Sequence, residues 1–338
     1  MFEGYRVVAV TPAGRRRYME LLVPQILGCP LVDRYDIWVN TADPADLAFL
    51  EGLAEKYDRV RLVAQPDGKP AGVRAIHGFH RLVTDSDTVY IRFDDDIVWL
   101  EPGFFESLLR FRLDHPEYFL VSPLVINNAV CSNILQIKGK IVPWRPIRAD
   151  CFDRVGWGQP EFAIALHRLF LDLVRRGEFA RLHSGSHVIA LNQFSINCIS
   201  WFGRDYAIFG GIVDVQEESD ISATIPVRLG RTNCFHTDAI AAHLAFFTQR
   251  AWVDATDILD QYKQLLDRRP ELKNLLVEVG EIRRAADRAH PGQESDGVIR
   301  TRRWRWKMQL RKLGRMLTGR YNFRKERNRV FVRAGPAL

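Results

Sequence analysis

The sequence predicts an α/β fold with a doubly wound, mostly parallel sheet, helices on both faces and a C-terminal helical extension. Short runs rich in β-branched and aromatic residues alternate with segments of helical periodicity through the first 120 residues. Polar or acidic residues directly follow several of the strand-like runs. Ligands of doubly wound sheets bind at the carboxyl ends of the strands, so the same pattern predicts a binding cleft there.

The first two strands and the first two helices are the clearest predictions. A strand at residues 5–10 ends in a Thr-Pro-Ala-Gly turn at residues 11–14, and apolar residues then recur at helical spacing over residues 18–26. A second strand is predicted at residues 35–40. Asp43 begins the next helix, because aspartate caps helix N-termini and the proline after it suits the first helical position.

The later elements are less regular. They are predicted as a strand at 60–63, a helix at 72–83, a strand at 88–93, a helix at 103–113, a strand at 119–121 and helices over 254–290 that break near Arg269 and Pro270. Periodicity is weak over residues 127–190, for which we predict no element. Residues 291–297 combine Pro, Gly, Gln, Ser and Asp, which predicts a linker.

The composition is that of a globular protein, with 47% apolar and 26% charged residues. The five cysteines are widely spaced and include no Cys-x-x-Cys pair, so neither a zinc knot nor a disulfide framework is predicted. The N-terminus lacks the layout of a signal peptide, and no apolar run reaches the roughly 18 residues of a membrane span. A cytoplasmic location is therefore predicted, and no particular oligomeric state is indicated.

The net charge of +7 is spread unevenly along the chain. Residues 300–338 carry fourteen Lys or Arg and one acid, a local net charge of +13, which leaves residues 1–299 with −6. Apolar residues from Trp306 to Leu317 recur at helical spacing among the basic ones, which predicts a basic amphipathic helix on an anionic membrane surface. Packing against the globular body is the alternative. Nucleic-acid binding is not favoured, because the acidic body offers no second basic face.

Three adjacent carboxylates, Asp94, Asp95 and Asp96, follow the strand predicted at 88–93 and precede the apolar residues 97–100. Charges this close repel each other, so the cluster is unfavourable without a cation. Mg²⁺ and Mn²⁺ prefer oxygen ligands and often use one or two carboxylates together with substrate phosphates. The triplet predicts a metal-bridged nucleotide site, and a solvated acidic turn is the alternative.

At three places the sequence resembles glycosyltransferases of the GT-A superfamily, which transfer a sugar from a nucleotide-sugar donor. Residues 7–12 and the leucine-rich helix after them resemble the first nucleotide-binding unit, residues 93–96 resemble the DxD motif, and residues 210–221 resemble the glycine-led acidic segment. The likeness covers roughly residues 5–250. It implies a metal-dependent hexosyltransferase that uses a nucleotide-diphosphate sugar, with UDP favoured, and a glycan or lipid-linked acceptor.

The resemblance also implies roles for single residues. Asp96 is the direct ligand of Mn²⁺ or Mg²⁺, Asp94 and His236 complete the metal shell, and His243 is the alternative histidine. Asp94 also faces the donor, together with Asp95. Catalysis falls to the carboxylates Glu218 and Asp220: in inverting members the carboxylate at the position of Glu218 is the general base, whereas in retaining members it positions the acceptor.

The donor itself needs further partners. Its diphosphate carries more charge than one metal neutralises, so basic side chains near the strand ends are candidates, although each could equally be surface charge. A glycine would let the backbone approach the donor sugar closely. The candidates for donor binding are Thr11, Pro12, Ala13, Arg15, Asn40, Asp43, Lys69, Arg74, Asp94, Asp95 and Gly211.

We predict four parts of the chain: a nucleotide-sugar-binding half at 1–120, an acceptor-binding and catalytic half at 121–250, a helical extension and linker at 251–297 and a basic amphipathic tail at 298–338. Two other functions stay open. A sugar nucleotidyltransferase shares the sheet and the metal chemistry but carries a Gly-x-Gly-x-Arg loop that is absent here. A non-catalytic protein could use the basic tail to bind a membrane or a nucleic acid.

Overall fold

The computed structural model describes residues 1–66, 68, 72–190, 192–291 and 332–335. Its strands are β1 (Arg6–Ala13), β2 (Arg34–Val39), β3 (Val60–Val63), β4 (Thr88–Phe93), β5 (Ile97–Leu100), β6 (Val121–Ile126), β7 (Ile141–Pro143), β8 (Ser186–Ile189), β9 (Cys198–Phe202), β10 (Asn233–His243) and β11 (Val332–Ala334). Its helices are α1 (Arg16–Leu27), α2 (Pro44–Lys56), α3 (Phe104–Asp114), α4 (Ala129–Ile137), α5 (Pro160–Arg175), α6 (Gly203–Ala207), α7 (Glu217–Ser219), α8 (Ile225–Leu229), α9 (Arg250–Val253), α10 (Ile258–Leu266) and α11 (Lys273–Ala289).

Nine of these strands form one mixed sheet in the order β3-β2-β1-β4-β9-β6-β10-β5, with β8 also paired to β10. Strands β3, β2, β1 and β4 are parallel to one another, and β6 is parallel to β10. Strand β9 runs antiparallel between β4 and β6, and β5 and β8 are antiparallel to β10. Six of the nine strands therefore run in one direction, which confirms the predicted mostly parallel α/β sheet.

The centre of the sheet is covered on both faces. Every residue of β4, β5, β6 and β9 is buried, and β1 is buried from its second residue onward. Continuous apolar strands of this kind are typical of sheets with both faces covered. The C-terminal helix α11 packs on α1 and α2, which confirms the predicted helical extension.

Local signals in the sequence explain several boundaries. The Asp43 carboxylate accepts hydrogen bonds from the backbone N–H groups at the start of α2, as predicted. The helices over 254–290 break at a short turn after Arg269, also as predicted. Asn128 caps α4 in the same way as Asp43 caps α2, within the region for which no element was predicted. That region holds α4, β7, α5 and β8.

One predicted helix takes a different form. Residues 72–83 form two 3₁₀ segments, Gly72–Arg74 and Ile76–Leu82, rather than an α-helix. Gly72 has a φ of +65°, outside the helical range, and Gly78 lowers the helix propensity further. The backbone of this segment consequently packs closely against the acidic segment at 210–221.

No helix within the described ranges is both long and apolar enough to span a membrane. The predicted basic amphipathic tail lies outside the described residues except for 332–335, where β11 pairs with β7. Membrane attachment through residues 300–338 therefore stays a prediction, as does the division of the chain into four parts.

Candidate active site

A cleft of about 960 Å³ opens at the carboxyl ends of β1, β2 and β4. Each of these three strands is followed by residues that line the cleft, as the strand pattern predicted. The opposite wall comes from the acidic segment before and within α7, from the loop before β9 and from the residues after β10. The cleft thus collects side chains from both halves of the chain.

The acidic triplet lies at the base of this cleft, in the turn between two buried strands. Asp95 accepts hydrogen bonds from the backbone N–H of Gly14, at 3.0 Å, and from the guanidinium of Arg15. The Oδ2 atom of Asp96 accepts from Arg15 at 2.9 Å and from Arg250 at 3.0 Å. The two arginines supply part of the positive charge that three adjacent carboxylates require.

Asp95 and Asp96 differ in their protonation behaviour. Burial raises the pKa of Asp95. Burial also acts on Asp96, but the neighbouring guanidinium groups, first of all Arg15, outweigh it and hold the pKa of Asp96 well below its usual range. Asp96 is therefore ionised at neutral pH, in the charge state that a metal ligand needs.

Asp94 is linked to the opposite wall of the cleft through Arg92. The Arg92 guanidinium lies 3.1 Å from Asp94 and also binds Glu217. His80 Nε2 lies 2.5 Å from Glu217, and Asn197 donates to Asp94 at 3.0 Å. Burial raises the pKa of Glu217, but Arg92 and His80 outweigh it and the pKa is lowered. Arg92 thus joins the triplet to the acidic segment by buried charge pairs.

His243 is the histidine that reaches the triplet. Its Nε2 lies 3.4 Å from Asp96 Oδ1, and single ligand atoms of Asp94, Asp96 and His243 all lie within 4.8 Å of one another. The partner register of β10 shifts between Ala242 and His243. Irregularities of this kind re-aim side chains and recur next to functional sites. The three side chains form a candidate metal centre.

His236, the histidine first predicted as a ligand, is not brought to the cleft. Its Nε2 lies 2.8 Å from Ser107 Oγ, and its ring stacks on Phe111 at a centroid distance of 4.3 Å. Burial lowers the pKa of His236 to about 4. The structure therefore places His236 against α3 and away from the triplet, whereas His243, the alternative histidine, lies beside Asp96.

Glu218 lines the wall opposite the triplet, as its predicted role requires. Gln193 donates to its Oε1 at 3.2 Å. Burial raises the pKa of Glu218 to about 7, helped by the nearby charges of Asp94 and Glu217. A π-helical turn, Asp220–Thr224, follows α7 directly, and such turns are frequent at functional sites. Glu218 is thus a carboxylate that can accept a proton near neutral pH.

Asp220, the second predicted catalytic carboxylate, does not line this cleft. Its Oδ2 accepts a hydrogen bond from the backbone N–H of Asp214 at 2.8 Å. It borders a neighbouring depression together with Asp214 and Arg228. The structure therefore places Asp220 outside the cleft, where its carboxylate holds the loop before α7.

Only some of the predicted donor-binding residues line the cleft. Thr11 and Ala13 are fully buried beneath the cleft, where Thr11 accepts a hydrogen bond from Tyr35 at 3.0 Å, so their side chains do not reach a ligand. Lys69 lies outside the described residues. The candidates whose atoms do line the cleft are Pro12, Arg15, Asn40, Asp43, Arg74, Asp94 and Asp95.

Gly211 also lies away from the cleft and is explained by packing. Its φ is +62°, and a Cβ placed there would meet the carbonyl oxygen of His80 at 2.2 Å. The neighbouring Gly210 has nearly the same φ, +61°, but its nearest neighbour beyond the adjacent residues is Ile212, at 4.0 Å. The glycine that sequence reasoning assigned to the donor sugar therefore lets the acidic segment approach the backbone around His80.

Replacing Gly211 with alanine should destabilise the protein more than the same change at Gly210. Both changes place a Cβ in the left-handed region, at about 1–2 kcal/mol, and the collision with His80 adds about 1–3 kcal/mol at Gly211 alone. Urea unfolding of the two variants measures the difference. Equal losses at the two positions would show that the close approach to His80 does not constrain the segment.

Sequence reasoning missed several residues of the cleft: Arg92, Gln193, Asn197, Glu217, Arg250 and the aromatic residues Phe152, Trp157, Phe246 and Phe247. One signal was available, because Arg92 is a charged residue inside an otherwise apolar strand. A charge buried in this way is almost always paired. The other residues carry no comparable pattern, since they come from loops and from short helices.

No protein-family model matches the chain, and neither does any curated protein sequence. Similar solved structures include glucosyl-3-phosphoglycerate synthase from Mycobacterium tuberculosis in complex with Mn²⁺, UDP-glucose and phosphoglyceric acid, at 14% identity and a TM-score of 0.43, over 82% of this chain and 80% of that one. CMP:2-keto-3-deoxy-manno-octonic acid synthetase with CTP is similar at 13% identity and a TM-score of 0.37, over 70% and 90% of the two chains. Similarity of this size leaves the function to be argued from the side chains of the cleft.

Proposed function

We propose that this protein is a metal-dependent glycosyltransferase of GT-A type, which transfers a sugar from a nucleotide-diphosphate donor, with UDP favoured, to an acceptor hydroxyl. The observation that carries the proposal is the cleft itself. It places a DxD-like carboxylate group and His243 on one wall and a carboxylate with a pKa of about 7, Glu218, on the other. The first wall suits a metal and a diphosphate, and the second suits proton transfer.

The geometry around Asp96 fits a divalent cation. Asp96 Oδ1 is buried and has no hydrogen-bond partner, although Oδ2 has two. His243 Nδ1 lies 3.3 Å from the carbonyl oxygen of Asn127, so we assign the ring hydrogen to Nδ1, which leaves the lone pair of Nε2 directed at Asp96. Two acceptor atoms that face each other in a buried site need a cation between them, and a histidine held by a backbone carbonyl is the usual arrangement of a metal ligand.

Asp94, Asp96 and His243 would hold Mn²⁺ or Mg²⁺, which would neutralise the diphosphate as it leaves the sugar. Arg15 and Arg250 already contact the triplet and are placed to bind phosphate oxygens. Asn40 lines the cleft at the end of β2, and its buried Oδ1 atom has no partner in the protein. We assign it to the base or the ribose of the donor.

Glu218 completes the reaction. The oxygen of the acceptor hydroxyl attacks the anomeric carbon, the bond from that carbon to the diphosphate breaks, and the proton of the hydroxyl passes to the Glu218 carboxylate. Direct displacement of this kind inverts the configuration of the anomeric carbon. The anomeric configuration of the product, measured by NMR, tests this step, since retention would exclude Glu218 as the base.

Titration calorimetry of UDP and GDP into the full chain, with and without Mn²⁺, tests the donor site. We expect UDP to bind only with the metal, and Asp96→Asn to abolish that metal-dependent binding. His243→Ala should weaken Mn²⁺ binding by at least about tenfold, whereas the matched variant His236→Ala should change it little. Equal UDP binding with and without Mn²⁺ would contradict the assignment, and so would a greater loss of Mn²⁺ binding in His236→Ala than in His243→Ala.

Turnover separates the leading proposal from the nucleotidyltransferase alternative. We expect UDP to be released from a UDP-sugar when a panel of UDP-hexoses is supplied with Mn²⁺. Pyrophosphate released from UTP and a sugar phosphate, without sugar transfer, would instead assign the cleft to nucleotidyl transfer.

A further inference from the structure

A wall of aromatic side chains borders the cleft between the candidate metal centre and Glu218. It consists of Phe152, Trp157, Phe246 and Phe247, which all line the cleft. Phe152 is 54% exposed and Phe247 is 73% exposed. Large apolar side chains left open at the mouth of a cleft are typical of binding sites.

The rings of this wall pack edge to face and are not stacked in parallel. Trp157 meets Phe152 edge to face, with centroids 5.3 Å apart at 84°, and meets Phe247 at 5.3 Å and 82°. In both pairs the rings are nearly perpendicular. Such a pair leaves ring faces free for a third group, whereas a parallel stack would cover them.

The two loops that carry the wall are fixed to each other. Thr248 donates to the carbonyl oxygen of Trp157 at 2.6 Å, and Gln249 donates to that of Gly156 at 3.2 Å. Asp153 accepts two backbone hydrogen bonds of 2.8 Å within the first loop. The wall is therefore organised before a ligand arrives, which lowers the entropy cost of binding.

The aromatic wall approaches His243 of the candidate metal centre at one end and Glu218 at the other. Phe246 packs against His243 with a centroid distance of 4.7 Å. At the other end, Cys151 directly precedes Phe152 and lies close enough to Glu218 for the charge of that carboxylate to raise the pKa of the Cys151 thiol, in addition to the effect of burial. A molecule on the wall therefore lies between the metal centre and the proposed base, which is the place of the acceptor.

We propose that this wall is the acceptor subsite and that the acceptor group it binds is a sugar ring. This inference rests on the proposed function. A pyranose presents C–H groups on one face and hydroxyls around its edge, and the wall offers ring faces close to the polar groups of Gln193 and Glu218. A lipid chain in the same place would desolvate the Glu218 carboxylate without offering it a polar partner, at a large cost.

Saturation-transfer NMR on the full chain with UDP and Mn²⁺ tests the subsite, with cellobiose, maltose, lactose, mannobiose and chitobiose as probes. We expect the ring C–H protons of at least one disaccharide to receive saturation. Phe247→Ala should lower the affinity for that disaccharide by about tenfold. Phe247→Tyr should keep the affinity within about twofold of the wild type. Ile208→Ala, an equally exposed apolar residue that does not line the cleft, is the matched control and should not change it.

Three results would overturn the inference: no saturation of any disaccharide, equal affinity in Phe247→Ala and wild type, or displacement of the disaccharide by a polyprenyl phosphate that loses its own affinity in Phe247→Ala. UDP binding is measured on each variant and shows that it is folded. The two proposals fail separately. Disaccharide binding without UDP binding would contradict the donor site, and UDP binding without disaccharide binding would contradict the subsite.

Discussion

Replacing Glu218 with glutamine is expected to reduce the rate of sugar transfer by about 10²- to 10⁴-fold while UDP binding stays intact. Glutamine keeps the size of the side chain and can keep a hydrogen bond with Gln193, but it cannot accept the proton of the acceptor hydroxyl. The comparison of kcat with donor affinity measures this, because a residue that acts only in proton transfer changes the first and not the second.

Asp220→Asn is the matched control for this variant. Asp220 is a second carboxylate of the same segment, and asparagine can still accept the hydrogen bond from Asp214. We expect its rate to stay within about threefold of the wild type, because Asp220 does not line the cleft. A comparable loss in both variants would mean that the segment is disturbed as a whole and would remove the base role from Glu218.

The raised pKa of Glu218 leads us to expect that both the rate of transfer and the stability of the protein depend on pH. The rate should rise with pH through about 7 and then level off, because only the ionised carboxylate accepts a proton. The free energy of unfolding should instead fall as the pH rises. Burial raises the pKa of Glu218 from 4.5 to about 7, so its contribution to the free energy of unfolding is fully present below pH 4.5 and is lost as the pH rises through 7.

That loss can be measured on the metal-free protein. A shift of this size corresponds to about 3 kcal/mol. Glu218→Gln has no charge to bury, so its stability relative to the wild type should increase by about that amount between pH 4 and pH 8. Parallel stability curves for the two proteins would show that Glu218 is not buried as a charge.

Arg92→Met is expected to lower the free energy of unfolding by about 3–5 kcal/mol, the largest effect on stability that we expect from a single charge. Arg92 is 3% exposed and binds both Glu217 and Asp94. Methionine has a similar length but would leave the Glu217 carboxylate, itself buried, with only His80. Urea unfolding of the two proteins, at equal slope, measures the change.

Arg61→Met provides the matched control. Arg61 also forms an ion pair with an aspartate across strands, at 2.6 Å from Asp36, but it is 52% exposed and Asp36 keeps a second partner in Arg34. We expect this variant to lose no more than about 1 kcal/mol, because exposed pairs are screened by water. The contrast isolates burial as the cause.

A double variant keeps the test decisive even when Arg92→Met unfolds. Adding Glu217→Gln removes the charge that was left unpaired, so we expect it to recover at least about 1 kcal/mol. A double variant less stable than Arg92→Met alone would mean that the buried pair is not the source of the loss.

Much of the donor side of the cleft could be predicted from the sequence. The strand pattern and the polar residues after each strand placed Arg15, Asn40, Asp43 and the triplet on one cleft, because the carboxyl ends of parallel strands meet. The Asp43 cap was predicted for an equally local reason. Prediction from neighbours in sequence succeeded at these positions and failed at residues 72–83, which form two 3₁₀ segments and not an α-helix.

The acceptor side could not be predicted in the same way. Phe152 and Trp157 lie in a region with no clear periodicity, and Phe246 and Phe247 are about 90 residues further along the chain. They meet only because Thr248 and Gln249 bind the first loop. Contacts between loops distant in sequence leave no periodic pattern.

The sequence by itself determined where the carboxylates stand: three after a buried strand and two glutamates after a glycine pair. Only the tertiary structure decided which partners each of them has. Glu217 turns inward to Arg92 and His80, and Glu218 turns to the cleft. His236 and His243 lie on one strand, but the partner register of that strand shifts twice, between His236 and Ile240 and between Ala242 and His243. Alternation along a strand assigns a side chain to a face only while the register is regular, so the histidine that faces the triplet is fixed by the packing of β10 against its neighbours.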